Sequence, residues 1–225
     1  MTNTPLRLVV LDCDGTMVDS QTAIVHSMTG AFESLNLTPP SADQIKRIVG
    51  LDLADAMSRL VAEEAHHHIG DLVEGYKTTA RAHRDSGNWE DPLYPHTVET
   101  IEALTGDGWI IGCATGKSMR GLEAVFEIHG IGHHFSTCQT SDIGPGKPSP
   151  EMLYRAMSET GVDKPYSVMV GDTTFDMEMA RNAGIHAIGV SWGYHEVDEL
   201  REAGAHVIIH SYNELIDALE KLTGR

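Results

Sequence analysis

The chain has 225 residues, of which 41% are hydrophobic and 22% charged, and its formal net charge is −17. A chain of this length can bury a hydrophobic core without disulfide or metal staples. The acidic balance argues against nucleic acid or an anionic membrane surface as a partner, because both require a basic footprint. No run is long and apolar enough to predict a membrane span, and the N-terminus lacks the basic flank and cleavage pattern of a signal peptide. Three cysteines, an odd number, fit reduced thiols, so we expect a cytoplasmic protein.

The first predicted element is a buried strand, and a long helical segment follows it. The apolar run Leu6–Leu11 predicts the strand, and from about Ser20 to Arg84 no β-rich run occurs. The predicted helices of this segment are Thr22–Leu35, Ser41–Val49, Leu53–His68 and Leu72–Arg84. We therefore predict a helical cap domain at residues 19–87, inserted into an α/β core formed by residues 1–18 and 88–225. An insert at this point would lie over the carboxyl edge of a sheet, as a mobile lid does.

The rest of the chain alternates between apolar runs and stretches with helical periodicity. The predicted strands are Trp109–Ala114, Ser167–Val170, Ile185–Val190 and Ala205–Ile209, and His133 and His134 are assigned to a loop before a strand. The predicted helices are Thr97–Thr105, Ser118–Ile128, Pro150–Thr160, Asp176–Ala183, Val197–Ala203 and Tyr212–Leu222. Strands that alternate with single helices predict an α/β fold with a doubly wound parallel sheet.

Polar clusters follow the ends of the predicted strands. They are Asp12 and Asp14, then Thr115, Gly116 and Lys117, then Lys147, and finally Asp172 and Asp176. Because the carboxyl ends of parallel strands meet at one edge, we expect all four clusters to gather there. Converging carboxylates would repel one another, and a hard cation such as Mg²⁺ relieves this repulsion. Lys147 adds a compact positive charge that can bridge a carboxylate and a phosphate oxygen.

Four motifs occur in order along nearly the whole chain. They are Asp12-x-Asp14-Gly15-Thr16, Thr115, Lys147 and Gly171-Asp172-x-x-x-Asp176. With them the sequence resembles the haloacid dehalogenase-like hydrolases, in particular the phosphoglycolate phosphatase-like branch with a helical cap after the first strand. The resemblance implies a Rossmann-like core and a Mg²⁺-dependent phosphatase. It also implies that the substrate is a small phosphorylated metabolite, a phosphate monoester of the phosphoglycolate or sugar-phosphate type.

The resemblance assigns roles to individual residues. Asp12 is the expected nucleophile that forms an aspartyl-phosphate, and Asp14 is the expected general acid and then general base. The resemblance implies that Thr115 and the Gly116 N–H hold the transferring phosphoryl group, while Lys147 stabilises its charge. Gly15, Thr16 and Lys117 are further expected phosphate-binding residues.

The resemblance also implies a set of metal ligands. Asp12, the backbone carbonyl of Asp14 and Asp172 are expected to hold Mg²⁺. Asp176 is expected to be either a fourth ligand or a group that orients the others.

Several residues outside the motifs invite weaker interpretations. In the cap, the turn from Arg47 to Leu51 is a candidate substrate-facing segment, because Gly50 permits a tight approach and Arg47 could reach an anionic group. An exposed helix end is an equally good interpretation. Cys13 stands between the two motif aspartates, and strand alternation points its side chain away from them into the core. The consecutive residues His66–His68 cannot share one ion on a helix, so we assign them to a solvated face.

Two other functions remain open on the sequence. A sugar-phosphate mutase shares this scaffold and would return the phosphoryl group to the sugar. A non-catalytic receiver-like module also gathers acidic residues, Thr and Lys around Mg²⁺, but it lacks a helical insert and a base equivalent to Asp14. Both a monomer and a homodimer are compatible with the sequence.

Overall fold

The computed structural model describes residues 5–86 and 91–224. Its strands are β1 (Arg7–Leu11), β2 (Trp109–Ala114), β3 (Phe135–Gln139), β4 (Ser167–Gly171), β5 (His186–Val190) and β6 (Val207–Ile209). They form one six-stranded sheet in the order β3-β2-β1-β4-β5-β6, and every neighbouring pair is parallel. The predicted doubly wound α/β fold is therefore confirmed.

Helices cover both faces of the sheet. They are α5 (Thr97–Gly106), α6 (Met119–His129), α7 (Glu151–Thr160), α8 (Thr174–Ala183), α9 (Val197–Ala203) and α10 (Leu215–Thr223). Side chains alternate along β1, so that Val9 and Leu11 enter one buried cluster while Leu8 and Val10 enter the other. In the described ranges no helix combines the length and the apolar content needed to cross a bilayer.

The segment between β1 and α5 is helical, as predicted. Its helices are α1 (Gln21–Ser34), α2 (Ala42–Lys46), α3 (Leu53–Leu60) and α4 (Ile69–Asp85). It has a hydrophobic cluster of its own, which includes Met28, Phe32 and Met57. The predicted boundary at residues 87 and 88 lies outside the described residues, so the two-domain division stays a prediction.

The predicted single helix Leu53–His68 is wrong in its second half. Helix α3 ends at Leu60, Val61 is extended with φ −106° and ψ 150°, and a 3-10 helix covers Glu63–His68. Val61 packs against the hydrophobic cluster of the cap, so tertiary packing overrides the helical periodicity of the sequence. The predicted helix Ser41–Val49 is likewise shorter, because α2 ends at Lys46.

Strand β3 is missing from the predicted strand runs. It lies at the edge of the sheet, and its residues Ser136, Thr137 and Gln139 are polar. The Gln139 side-chain amide donates to a carboxylate oxygen of Glu159 on α7 at 3.0 Å, and the Thr137 hydroxyl donates to the same oxygen. A strand whose inward polar groups are satisfied by a neighbouring helix carries no apolar run. The sequence predicts a strand after His133 and His134, but it does not predict the bounds of that strand.

Candidate active site

The candidate site lies where the strand order changes direction. Strand β1 is flanked by β2 on one side and β4 on the other, and the Asp12 N–H donates to the Val170 carbonyl at 2.9 Å. Asp12 and Asp172 therefore extend from the ends of adjacent strands, and Thr115 follows β2 on the other side. Ligands of open α/β sheets bind in the crevice at such a point.

Three of the predicted metal ligands meet at this edge. Oxygen atoms of Asp12, Asp172 and Asp176 lie within 4.8 Å of one another, and all three residues are buried. Asp12 Oδ2 is buried and accepts no hydrogen bond from any described residue. Hard cations such as Mg²⁺ prefer oxygen ligands, so buried carboxylate oxygens, one of them without a hydrogen bond, form a suitable site for such an ion.

Lys147 is the cation that the protein itself supplies to this cluster. Its Nζ lies 2.8 Å from Asp12 Oδ1 and 2.6 Å from Asp176 Oδ1, and all three side chains are at most 1% exposed. Burial alone would lower the pKa of Lys147, but Asp12 and Asp176 raise it above its ordinary value. The ammonium group is therefore charged at neutral pH and is fixed between two carboxylates.

One lysine does not neutralise three buried carboxylates. Burial raises the pKa of Asp12 to about 7, Lys147 opposes the rise, and Asp176 adds to it. Burial also raises the pKa of Asp172 well above its usual range, and the charges of Asp12 and Asp176 contribute further. The site thus favours an additional positive charge, because such a charge would keep the carboxylates ionised.

Asp176 is also bound to the start of α8. Its Oδ2 accepts hydrogen bonds from the Thr173 N–H at 3.0 Å and the Thr173 hydroxyl at 2.7 Å, while Oδ1 faces Lys147. Helix α8 begins at Thr174 rather than at the predicted Asp176, because Thr173 and Asp176 form a capping box. Asp176 therefore orients Lys147 as well as belonging to the carboxylate cluster, and its expected role as a fourth metal ligand stays a prediction.

Asp14 has a separate set of partners. Lys117 Nζ lies 2.8 Å from Asp14 Oδ1, and the Ser20 hydroxyl donates to the same oxygen. The Tyr194 hydroxyl lies 3.2 Å from the Ser20 hydroxyl. Burial alone would lower the pKa of Lys117, but the Asp14 carboxylate raises it. The structure therefore places Lys117 beside the predicted acid/base, a contact that the sequence did not predict.

Gly15 and Thr16 lie directly beside the Asp172 carboxylate. The Thr16 hydroxyl donates to Asp172 Oδ1 at 2.8 Å. Gly15 has a φ of +79°, and a β-carbon there would lie 2.2 Å from Asp172 Oδ2 and 2.5 Å from the Tyr194 ring. The Thr16 side chain thus contacts a carboxylate, and its predicted contact with phosphate stays a prediction.

The loop after β5 belongs to the site, although the sequence interpretation missed it. The Tyr194 N–H donates to Asp172 Oδ2 at 2.9 Å, and the Trp192 indole N–H donates to the Thr16 carbonyl at 3.1 Å. A β-carbon at Gly193 would lie 2.1 Å from the Asp172 β-carbon. The signal that could have found this loop is the strand-end rule itself, because residues 191–195 directly follow a predicted strand.

The helical segment and the core together line an open cavity of about 550 Å³ at the site. Among its lining residues are Asp12, Asp14, Thr115, Gly116 and Lys117 from the core, and Ile24, Met28, Ile48, Val49, Gly50, Leu51, Val73 and Tyr76 from the helical segment. A β-carbon at Gly116 would lie 2.4 Å from the Leu51 carbonyl oxygen and 2.9 Å from that of Gly50. The absence of a side chain at Gly116 therefore lets the Gly50 turn approach the core closely.

Arg47 lies outside the cavity. It is not among the residues that line the cavity, and its guanidinium forms a two-pronged ion pair with Glu199 on α9, at 2.6 and 2.8 Å. The hydrogen bond from Arg47 lowers the pKa of Glu199 to about 2. Of the predicted substrate-facing turn, Gly50 borders the cavity, whereas Arg47 links the helical segment to the core.

Two other sequence interpretations can be compared with the structure. Cys13 is fully buried in the hydrophobic cluster that also contains Val9 and Leu11, as strand alternation predicts. His66 and His67 are exposed on the 3-10 helix, and His68 is half-buried. Within the described ranges, one group of three or more side chains could hold a metal ion, and it consists of Asp12, Asp172 and Asp176. No histidine of these ranges belongs to such a group.

Comparisons with known proteins show which proteins this chain resembles. The model of the family described as haloacid dehalogenase-like hydrolase matches residues 9–190. A protein of Dickeya dadantii named "Probable phosphatase IndB" is 32% identical over 224 residues, covering 96% of this chain and 94% of that protein. A phosphoglycolate phosphatase of Agrobacterium fabrum is 30% identical over 232 residues, covering 100% of this chain and 98% of that protein.

The fold is also found among solved structures. A haloacid dehalogenase-like family protein of Streptococcus pneumoniae superimposes with a TM-score of 0.82 at 24% identity, covering 95% of this chain and 98% of that one. The match to the family model spans most of the chain and includes all four motifs. The chain therefore belongs to the haloacid dehalogenase-like hydrolases.

Proposed function

We propose that this protein is a Mg²⁺-dependent phosphatase that hydrolyses a small phosphate monoester, of the phosphoglycolate or sugar-phosphate type, through an aspartyl-phosphate on Asp12. One observation carries the proposal. The buried Asp12 carboxylate contacts Lys147 at 2.8 Å through one oxygen, while its other oxygen accepts no hydrogen bond from the described residues. The names of the relatives from Dickeya and Agrobacterium, both phosphatases, support the same reaction class.

In the first step, an Asp12 carboxylate oxygen attacks phosphorus. A new P–O bond forms, the ester P–O bond breaks, and Asp14 donates its proton to the departing alcohol oxygen. Thr115 and the Gly116 N–H hold the transferring phosphoryl group, and Lys147 stabilises the charge on its oxygens. The bonds from Ser20 and Lys117 keep the Asp14 carboxyl group oriented within the cavity.

In the second step, the aspartyl-phosphate is hydrolysed. Asp14, now a carboxylate, takes a proton from a water molecule whose oxygen attacks phosphorus. The bond between phosphorus and Asp12 then breaks, which releases inorganic phosphate and restores both carboxyl groups to their starting states. The cap turn at Gly50 and Leu51 limits the access of other water to the reacting atoms.

The carboxylate cluster fits a magnesium ion. Asp12, Asp172 and the Asp14 carbonyl would hold it, and Asp176 would stand beside it. When bound, Mg²⁺ supplies charge neutralisation for the phosphoryl oxygens and for the converging carboxylates.

A metabolite screen tests the proposal. Purified protein is incubated with a panel of phosphate monoesters, with Mg²⁺ or with a chelator, and released phosphate is measured. We expect Mg²⁺-dependent release from at least one ester. Conversion of a sugar 1-phosphate into its 6-phosphate without release of phosphate would instead establish the mutase alternative.

Substitution of Gly116 by alanine tests the role of the cap turn. The added methyl group would collide with two backbone carbonyls of the cap, so the closed arrangement should become less populated. We expect kcat/KM to fall about tenfold. The melting temperature should change little, because the cap can shift without disrupting the sheet.

Gly106→Ala is the matched control, because a β-carbon at position 106 meets nothing within 4 Å. Wild-type kcat/KM in the Gly116→Ala variant would show that the close approach of the turn has no part in catalysis.

Exchanging the charges of Arg47 and Glu199 tests whether Arg47 affects activity through its ion pair with Glu199 or by contacting the substrate. Arg47→Glu places two like charges at the junction of cap and core, and we expect kcat/KM to fall about two- to fivefold, since exposed ion pairs contribute little. Adding Glu199→Arg restores opposite charges and should recover the activity. If the double variant is no better than Arg47→Glu alone, then Arg47 acts on the substrate and not through this ion pair.

A further inference from the structure

The cavity differs in charge from the rest of the molecule. Asp and Glu outnumber Lys and Arg by 33 to 16 in the whole chain. Among the described residues that line the cavity the two classes are equal, with five of each. Almost a third of the positive charges of a strongly acidic protein therefore border one cavity, whose described lining has no net formal charge although the whole chain has −17.

The positive charges come from two elements. Helix α4 of the cap contributes Lys77, Arg81 and Arg84, which are spaced so as to share one helical face. Lys117 and Arg120 come from the core, at the beginning of α6. An anion bound between these elements would link the cap to the core.

Four of the five negative charges of the lining have protein partners that can be named. Asp12 contacts Lys147, and Asp14 contacts Lys117. Asp52 accepts the N–H groups of Ala54 and Asp55 at the start of α3, and Asp142 accepts the Met119 N–H. These four carboxylates are therefore occupied by protein donors.

Two of the positive charges are not engaged in this way. Arg81 and Arg120 are exposed, and none of the ion pairs between described residues includes either of them. Guanidinium groups bind carboxylates and phosphates through two parallel hydrogen bonds. The phosphoryl group that is transferred has its own partners in Lys147, Thr115 and Gly116, so these arginines are left for another part of the substrate.

We propose that Arg81 and Arg120 bind a second anionic group, a carboxylate or a phosphate, on the leaving group of the substrate. This inference rests on the proposed phosphatase function and narrows its substrate class. A cavity of about 550 Å³ lies in the size range of sites that enclose whole small molecules, so it has room for such a group. Since one arginine belongs to the cap and the other to the core, binding of the second anion favours closure over the reacting phosphate.

Two matched pairs of esters test the inference. 3-Phosphoglycerate and glycerol 3-phosphate differ by a carboxylate in place of a hydroxymethyl group. Glucose 1,6-bisphosphate and glucose 1-phosphate differ by a second phosphate. We expect kcat/KM for the doubly anionic member to exceed that of its partner about tenfold in at least one pair, and the pair that shows the preference identifies the anion.

Substitutions of Arg81 and Arg120 test whether these two residues cause the preference for the doubly anionic ester. Arg81→Gln and Arg120→Gln should each reduce this preference, measured as the ratio of the two kcat/KM values, about tenfold. Arg81→Lys keeps the charge and should retain part of the preference. Arg201→Gln is the matched control, because Arg201 pairs with Asp198 on α9 and does not line the cavity. Its preference should equal that of the wild type.

The possible results distinguish failure of the second-anion site from failure of the phosphatase function. Hydrolysis of both members of each pair at equal rates would overturn the second-anion site and leave the phosphatase proposal standing. A ratio of kcat/KM values that stays at the wild-type level in both arginine variants would also overturn the second-anion site and leave the phosphatase proposal standing. No release of phosphate from any ester, with Mg²⁺ present, would overturn the phosphatase proposal and the inference that rests on it.

Discussion

Asp12→Asn is expected to reduce phosphate release by roughly 10³-fold or more, because loss of a covalent nucleophile removes the reaction path itself. The folded protein should survive the change. Asp12 is fully buried, and burial raises its pKa to about 7 in the absence of a metal ion. A neutral asparagine of nearly the same shape removes a charge that is costly to bury. We therefore expect the free energy of unfolding, measured with a chelator present, to be unchanged or higher.

The covalent intermediate gives a second measurement for this variant. With a substrate labelled in its phosphoryl group, acid-quenched wild-type protein should retain label, whereas the Asp12→Asn protein should retain none. Asp198→Asn makes the same chemical change at an exposed carboxylate outside the cavity, and it should behave as the wild type. If Asp12→Asn keeps the wild-type rate, Asp12 is not the nucleophile.

Lys147→Met is expected to have the second large effect, this time on both stability and catalysis. The substitution leaves Asp12 and Asp176 buried without their shared cation, and breaking a buried ion pair in this way costs about 3–5 kcal/mol of unfolding free energy. Loss of the charge that we propose stabilises the phosphoryl oxygens should also lower kcat by roughly 10²-fold or more.

The stability of this variant should depend on pH in a defined direction. Burial already raises the pKa of Asp12 to about 7, and removal of Lys147 takes away the group that opposes the rise. A carboxylate whose pKa is higher in the folded state than in the unfolded state binds more protons when folded, so stability falls as the pH increases. With a chelator present, the deficit of Lys147→Met should therefore be larger at about pH 8 than at about pH 6.

Urea unfolding at both pH values measures this effect. Lys221→Met is the matched control, because Lys221 is exposed on α10 and lies outside the cavity. A deficit that does not change with pH would mean that the carboxylates of the site do not titrate in this range.

Much of the fold follows from the sequence because buried parallel strands are apolar and short. The runs around Val9, Ile111 and Val168 have no polar interruption, and the structure confirms a strand at each. The sequence fails where a contact from elsewhere decides the local structure. Strand β3 is polar because Glu159 satisfies it, and α3 ends before Val61 because that side chain packs into the cap cluster.

The gathering of Asp12, Thr115 and Asp172 could be predicted because each follows a strand that an apolar run of the sequence reveals. Lys147 instead follows β3, which has no such run. Asp12, Asp172 and Asp176 converge as strand order requires, and Lys147 joins them. The partners of these residues could not be predicted in the same way. The contact between Lys117 and Asp14 depends on the start of α6, and the ion pair of Arg47 with Glu199 depends on how the cap lies on the core.

The position of β1 in the middle of the sheet has a consequence for the order of events at the ribosome. Strand β1 is made before its two neighbours, β2 and β4, which follow about 100 and 160 residues later, as the pairings of Arg7 with Trp109 and Leu8 with Ser167 show. During synthesis the apolar side chains of β1 stay without their sheet partners, while α1 and α4 of the helical segment, which are closer together in the sequence, can already meet. The cluster of Asp12, Asp172 and Asp176 is completed only when Asp176 has emerged, so a nascent chain cannot form the metal-capable group until β4 and the start of α8 have been made.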